Sequence, residues 1–104
     1  MMKGNNITNT EDEKIIPKEN KLYDNYPNPF NPSTQIKYSV KEQGLVNLKV
    51  YDSLGEVVAE LVNQTQPAGT YTVNFNAGRL ASGIYFYSIS AKDFHKVKKM
   101  ILLK

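Results

Sequence analysis

The chain has 104 residues, 40% of them hydrophobic and 22% charged, with a formal net charge of +3, the balance of one soluble globular domain. No apolar run approaches the roughly 18 residues that span a bilayer, and the absence of cysteine excludes disulfides, zinc–thiolate sites and thiol nucleophiles. Twelve of the thirteen basic residues are Lys, mostly scattered along the chain rather than clustered as nucleic-acid recognition needs.

Residues 1–21 contain no aromatic side chain and, apart from Met1 and Met2, only Ile7, Ile15 and Ile16 as large apolar ones. Such a stretch cannot bury enough surface to offset its ordering entropy. It reads as a disordered polar linker or tail, leaving 22–104 as the folded domain. It also lacks the apolar stretch of about 7–15 residues that marks a secretory signal peptide.

Asn25 to Ser33 holds Pro27, Pro29 and Pro32. Proline fixes φ and pushes the residue before it towards extended geometry. The expectation is an extended, polyproline-like strip, with Tyr26 and Phe30 anchored on the core and Asn28 and Asn31 bonding nearby backbone. Such a strip closes one end of the core; the alternative is a proline-rich ligand for a partner groove.

From here the pattern is β. Ile36, Tyr38 and Val40 alternate with polar residues, as do Val46, Leu48 and Val50, and then Tyr71, Val73 and Phe75. Period two with β-branched and aromatic side chains predicts half-buried strands. Gly83 to Ile89 is apolar on both faces at its start, as a central strand is. Glu56 to Val62 suits either a short helix or a returning hairpin strand. Val97 to Leu103 is a strand whose phase stays open, with Met100 and Leu102 or Ile101 and Leu103 pointing inward. Turns are expected at Gly44, at Asp52–Gly55 with Gly55 in the left-handed region, and at Pro67–Gly69, Ala81–Gly83 and Ala91–Asp93. Six or seven short strands in one small domain predict an all-β, immunoglobulin-like antiparallel β-sandwich. A barrel needs more or longer strands.

The chemical inventory is nearly empty. His95, the one histidine, sits beside Lys96 at an expected strand start, where a surface structural role fits better than catalysis. No zincin, nucleophile-elbow or phosphate-loop motif occurs. Asp24, Glu42, Asp52, Glu56 and Asp93 fall at or near turns, where carboxylates are solvated or cap backbone. Calcium needs several converging oxygens, and Asp52 is the nearest approach to a ligand, so no metal or cofactor is expected. The sequons at Asn6 and Asn63 are what an Asn-rich chain contains by chance. Four bases, Lys96, Lys98, Lys99 and Lys104, lie in the last nine residues. They either guard an edge strand or take part in recognition.

Taken in order, Asn25-Tyr-Pro-Asn-Pro-Phe-Asn-Pro-Ser-Thr34, Ile36-x-Tyr38, Val46-x-Leu48-x-Val50-Tyr51-Asp52-x-x-Gly55, Pro67-x-Gly69-x-Tyr71-x-Val73, Ser82-Gly83-Ile84-Tyr85-Phe86-Tyr87 and Lys99-Met100-x-Leu102-x-Lys104 resemble the type A C-terminal sorting domain of the type IX (Por) secretion system. The resemblance covers about Leu22 to Lys104. It implies an immunoglobulin-like sandwich that serves as an address on an exported cargo. The cargo reaches the periplasm by its own signal peptide, and the outer-membrane translocon recognises the folded sorting domain. A sortase-like protease then cuts upstream, and the product is released or joined to lipopolysaccharide at the cell surface. No catalytic residue is carried over. The family's sorting motifs fall on Pro67, Gly69, Tyr71 and Val73, on Gly83 and Tyr85, and on Lys96, Lys98, Lys99, Met100, Leu102 and Lys104. The terminal strand and its lysines are the expected translocon contact, because a strand with a free end adds readily to a partner's sheet edge. The chain as given has neither signal peptide nor cargo domain, which leaves open a fragment, an excised piece or a truncated gene product; a monomer without membrane insertion is expected. The other readings are a structural interaction module similar to the accessory domain of flagellar hook-capping proteins, an enzyme, and carbohydrate binding through exposed Tyr51 or Tyr87.

Overall fold

The computed structural model describes residues 16–104; most of the expected tail lies outside them. Alternating residues make seven strands: β1 (Lys21–Leu22), β2 (Ser33–Val40), β3 (Gly44–Tyr51), β4 (Val57–Gln66), β5 (Gly69–Asn76), β6 (Gly83–Ala91) and β7 (Phe94–Leu102). They form two antiparallel sheets, in the orders β1-β2-β5 and β4-β3-β6-β7. Among the described residues there is no helix.

The sheets close on each other because each strand carries one apolar face. Ile36, Tyr38 and Val40 of β2 meet Val46, Leu48 and Val50 of β3 and Tyr85, Tyr87 and Ile89 of β6 in one core. Antiparallel pairing with one face buried and one wet is the arrangement that period-two patterning selects. The fold is the expected β-sandwich.

Two open assignments are resolved by pairing. Glu56 to Val62 belongs to a strand: β4 returns along β3 from Tyr51↔Val57 to Gly44↔Gln66, with register shifts between Leu48 and Lys49 and between Val50 and Tyr51. These bulges leave Leu61 and Val58 without opposite residues, break the alternation and lend the segment its helix-like spacing. In β7, Met100 and Leu102 are fully buried and Leu103 is exposed. The pairs Tyr85↔Met100 and Gly83↔Leu102 put them on the inward face of β6.

The proline segment departs from expectation. It bends repeatedly between Tyr26 and Pro32, so it is not a polyproline-like strip; the peptide bonds before Pro27, Pro29 and Pro32 are cis. Phe30 is the anchor, 2% exposed, whereas Tyr26 is 79% exposed. The Tyr26 backbone is held at both ends, its N–H donating to the Gln35 carbonyl at 3.0 Å and its carbonyl accepting from the Gln35 N–H at 2.9 Å. That bridge leaves its side chain facing solvent. Inside the bend the Thr34 hydroxyl donates to the Pro27 carbonyl at 2.8 Å, and Asn25 Nδ2 donates to Thr34 Oγ1 at 3.0 Å.

The turns follow their chemistry. Asp52 Oδ1 accepts the N–H groups of Leu54 and Glu56, each at 2.9 Å, and Gly55 takes φ 88°. The carboxylate considered as a metal ligand thus closes a hairpin loop. Lys92 and Asp93 form a two-residue connection between Ala91 and Phe94, with Lys92 at φ 53°.

Candidate functional site

The candidate site is a set of strand ends. At the start of β5, the Tyr71 hydroxyl donates to the Pro67 carbonyl at 2.6 Å. Gly69 lies between them, where an added Cβ would meet the Tyr71 ring at an ordinary contact distance. The ring stacks on Tyr38, 5.4 Å between centroids and 24° between planes. The Tyr38 hydroxyl donates in turn to Gln66 Oε1 at 2.5 Å inside the core, where burial pushes its pKa up. Val73 pairs with Ile36 and is half-buried. The whole pattern from Pro67 to Val73 is therefore a corner that folds back on itself.

The start of β6 repeats the device. The Tyr85 hydroxyl donates to the Ala81 carbonyl at 2.7 Å, again four residues back with a glycine midway. Gly83 takes φ 155°, a conformation that side-chain-bearing residues rarely adopt. Tyr87, two residues on, is fully buried and donates to the Tyr23 carbonyl at 2.7 Å. Burial pushes its pKa up to about 12. Its inward position removes it as an exposed sugar-stacking surface, while Tyr51 is half-buried on the other face.

The terminal strand is not free at its end. The Phe30 N–H donates to the Ile101 carbonyl at 2.9 Å and the Leu103 N–H to the Phe30 carbonyl at 3.0 Å, a parallel bridge between Phe30 and Leu102. The Ile101 N–H donates to Asn28 Oδ1 at 3.0 Å. Beyond it, the Lys104 N–H donates to Ser82 Oγ at 3.0 Å, and Lys104 Nζ donates to the Gly78 and Leu80 carbonyls at 2.8 and 2.9 Å. The expected free end is pinned by the proline loop on one side and the β5–β6 loop on the other.

Of the remaining lysines, Lys96 and Lys99 are exposed. Lys98 Nζ lies 2.9 Å from Asp24 Oδ1, a pair that is 27% and 86% exposed. At that exposure it adds little stability. Lys96 and Lys98 share the strand face of Met100, beside Leu22 and Phe94, while Lys99 projects from the opposite face.

The structure groups the motif residues unevenly. Gly83 and Tyr85 pair directly with Leu102 and Met100, and Lys104 reaches the loop before Gly83, so these form one cluster. Pro67, Gly69 and Tyr71 lie at the opposite end of β5. Sequence reasoning missed Gln66 altogether and placed Thr34 and Ser82 only within motifs, without their bonds to the proline bend and Lys104. Each is a polar residue whose partner lies at least seven residues away, so it carries no local signal.

A family model described as the secretion system C-terminal sorting domain matches residues 24–103. The chain belongs to that family. The sorting domain is thus the C-terminal signal of type IX secretion, which marks proteins for secretion or display at the cell surface. A sorting signal is not a catalytic family. Two solved structures share the fold. PorZ, an essential bacterial surface component of the type IX secretion system of Porphyromonas gingivalis, matches at 20% identity with a TM-score of 0.54, over 82% of this chain and 11% of PorZ. Dimeric latent PorU from Porphyromonas gingivalis matches at 17% identity with a TM-score of 0.62, over 86% of this chain and 10% of PorU. The sorting domain spans about a tenth of the length of either. No curated protein matches. Among the described residues no group of three or more His, Cys, Asp or Glu could hold a metal, and no helix is long and apolar enough to cross a membrane.

Proposed function

We propose that the outer-membrane translocon of type IX secretion reads this sorting domain as a folded monomer, through β7 and its lysines Lys96, Lys98, Lys99 and Lys104. The corners at Pro67–Val73 and Gly83–Tyr85 hold the sandwich in shape, and Met100 and Leu102 fix the strand to the core. An N-terminal cargo is attached through residues 1–21, and a sortase-like protease cuts ahead of Tyr26 to release the cargo or join it to lipopolysaccharide. The domain performs no chemistry of its own. It needs no cofactor, metal or nucleic acid and does not insert into the membrane. The observation that supports this most is the span of the family match, residues 24–103, which takes in the proline loop and the strands from β2 to β7.

The test is a fluorescent reporter with an export signal peptide, fused ahead of the full chain. It is expressed in a host with the type IX system and in a sibling lacking the translocon. Reporter outside the first host and held in the periplasm of the second supports the reading. Equal periplasmic retention in both, with the domain folded, overturns it and favours a structural interaction module. Cleavage ahead of Tyr26, read by mass spectrometry of the exported product, tests the protease step.

A further inference from the structure

We propose that the outer edge of β7 from His95 to Lys99 takes up an acidic β-strand of the recognising partner. This deepens the sorting reading and rests on it for where the partner is found, but what the partner presents follows from the edge itself.

β7 is the outermost strand of its sheet, with β6 on one side only. Along a strand the N–H and C=O groups of successive residues point alternately to the two sides. The bonds from Ile101 and Leu103 to the proline loop identify the odd-numbered residues as facing outward. The β6–β7 register runs without a shift from Ala91↔Phe94 to Gly83↔Leu102. His95, Val97 and Lys99 therefore face outward too. Among the described residues nothing bonds their outward N–H and C=O groups. The proline loop already pairs with this edge at its far end and β1 lies beside β7, so the stretch whose outward backbone groups are unbonded runs from His95 to Lys99.

Edge strands are ordinarily blunted by shortness, a bulge or proline. β7 has nine residues, no register shift and no proline. Short of the proline loop, its device is charge, and that selects the occupant. Antiparallel pairing with a second copy about Val97 sets Lys96 opposite Lys98 of the copy and Lys98 opposite its Lys96. Like charges directly opposite destabilise a sheet. Asp or Glu at the same positions reverses the sign on both faces, as Asp24 already does beside Lys98.

The probe is a short synthetic peptide alternating Glu and Val, with its Lys-for-Glu counterpart, titrated into the full chain and followed by amide NMR and hydrogen exchange. The acidic peptide is expected to protect the His95, Val97 and Lys99 amides and to bind about tenfold more tightly than the basic one, the sum of several cross-strand charge pairs. V97P removes one outward donor at an edge position where proline is tolerated, so it should abolish protection while the spectrum stays dispersed. K99E, at an exposed position, should narrow or reverse the peptide preference and keeps the test decisive should V97P unfold. No protection by either peptide, equal binding of both, or shifts confined to other faces overturn the inference. In the export assay, V97P reporter leaving the cell as efficiently as the unaltered one overturns the edge alone. Failure of the unaltered reporter overturns the sorting reading instead.

Discussion

The Tyr85 hydroxyl reaches back four residues to the Ala81 carbonyl at 2.7 Å, and Tyr71 does the same to Pro67 at 2.6 Å. Each bond closes a corner where the chain enters a strand, like the tyrosine corner of immunoglobulin-type sandwiches. The two bonds lie in different surroundings. Tyr85 is 7% exposed, and losing its hydroxyl leaves a partly buried carbonyl without its donor. Y85F is expected to cost about 1–2 kcal/mol. Y71F removes a bond open to water and should cost less. The corners are at opposite ends of the sandwich, so the double variant should be additive within about 0.5 kcal/mol, as read by urea unfolding.

The glycines inside these corners do different jobs. Gly83 has φ 155° and empty space where a Cβ would be, so G83A tests the backbone alone. It should destabilise by about 1–3 kcal/mol. Gly69 lacks an unusual φ, and a Cβ there would meet Tyr71 at 3.7 Å, an ordinary contact. G69A should fall within about 0.5 kcal/mol of the parent. Equal losses at both positions in thermal unfolding would sink this distinction.

Much of this was legible from residue spacing. β2 and β3 alternate cleanly, β6 is apolar on both faces at its start as a central strand is, and Gly55 sits where the left-handed turn needs it. β4 was ambiguous for a physical reason, since two bulges interrupt its period. Met100, Ile101 and Leu102 at the end of β7 and Leu103 just after it are all apolar, so only the strand's pairing with Tyr85 and Gly83 decides which face is inward. Tyr26 and Phe30 look alike as aromatic residues among prolines. What separates them is the partner each backbone bridge pairs it with, exposed Gln35 for Tyr26 and buried Leu102 for Phe30, which no side-chain pattern encodes. The motif words were visible at the candidate site, but the hydroxyl partners are backbone carbonyls, and the pinning of Lys104 depends on loops distant in sequence.

Phe30 holds the terminal strand from outside. Its ring is buried, 6.3 Å from that of Phe75, while its backbone bonds Ile101 and Leu103. F30A should cost about 3–5 kcal/mol as a core truncation and speed exchange at the Ile101 and Leu103 amides together. N28A removes only the acceptor of the Ile101 N–H. It should cost about 1 kcal/mol and speed exchange at Ile101 while sparing Leu103. Matched acceleration at both amides in N28A would mean that the loop detaches as a unit.

Lys92 occupies the first place of a two-residue hairpin at φ 53°, where Asn and Gly are favoured. Its stem also lies over Gly44, where a Cβ would come within 2.9 Å of Lys92 Cε. K92N relieves the backbone and gives up that contact. The backbone should win, raising stability by about 0.5–1 kcal/mol. G44A should be harmful in the parent and less so beside K92N, because the shorter side chain leaves room for the methyl group. Identical cost of G44A in both backgrounds would show that the Lys92 stem does not crowd Gly44.

Tyr87 makes stability depend on alkaline pH. Buried, it keeps its proton up to about pH 12, whereas an unfolded tyrosine loses it near pH 10. Between those values the unfolded chain binds fewer protons than the folded one, so unfolding is favoured as pH rises. The stabilisation is fully present below about pH 10 and is lost as the pH climbs through about 12. Tyr38, raised in the same direction by burial, steepens the fall. Y87F removes one of these groups together with its bond to the Tyr23 carbonyl. Chemical denaturation across pH 8 to 12 should therefore show Y87F less stable than the parent at neutral pH but with a shallower alkaline decline, the two curves converging as the pH rises. Parallel curves over that range would mean that Tyr87 titrates alike in the folded and unfolded chain.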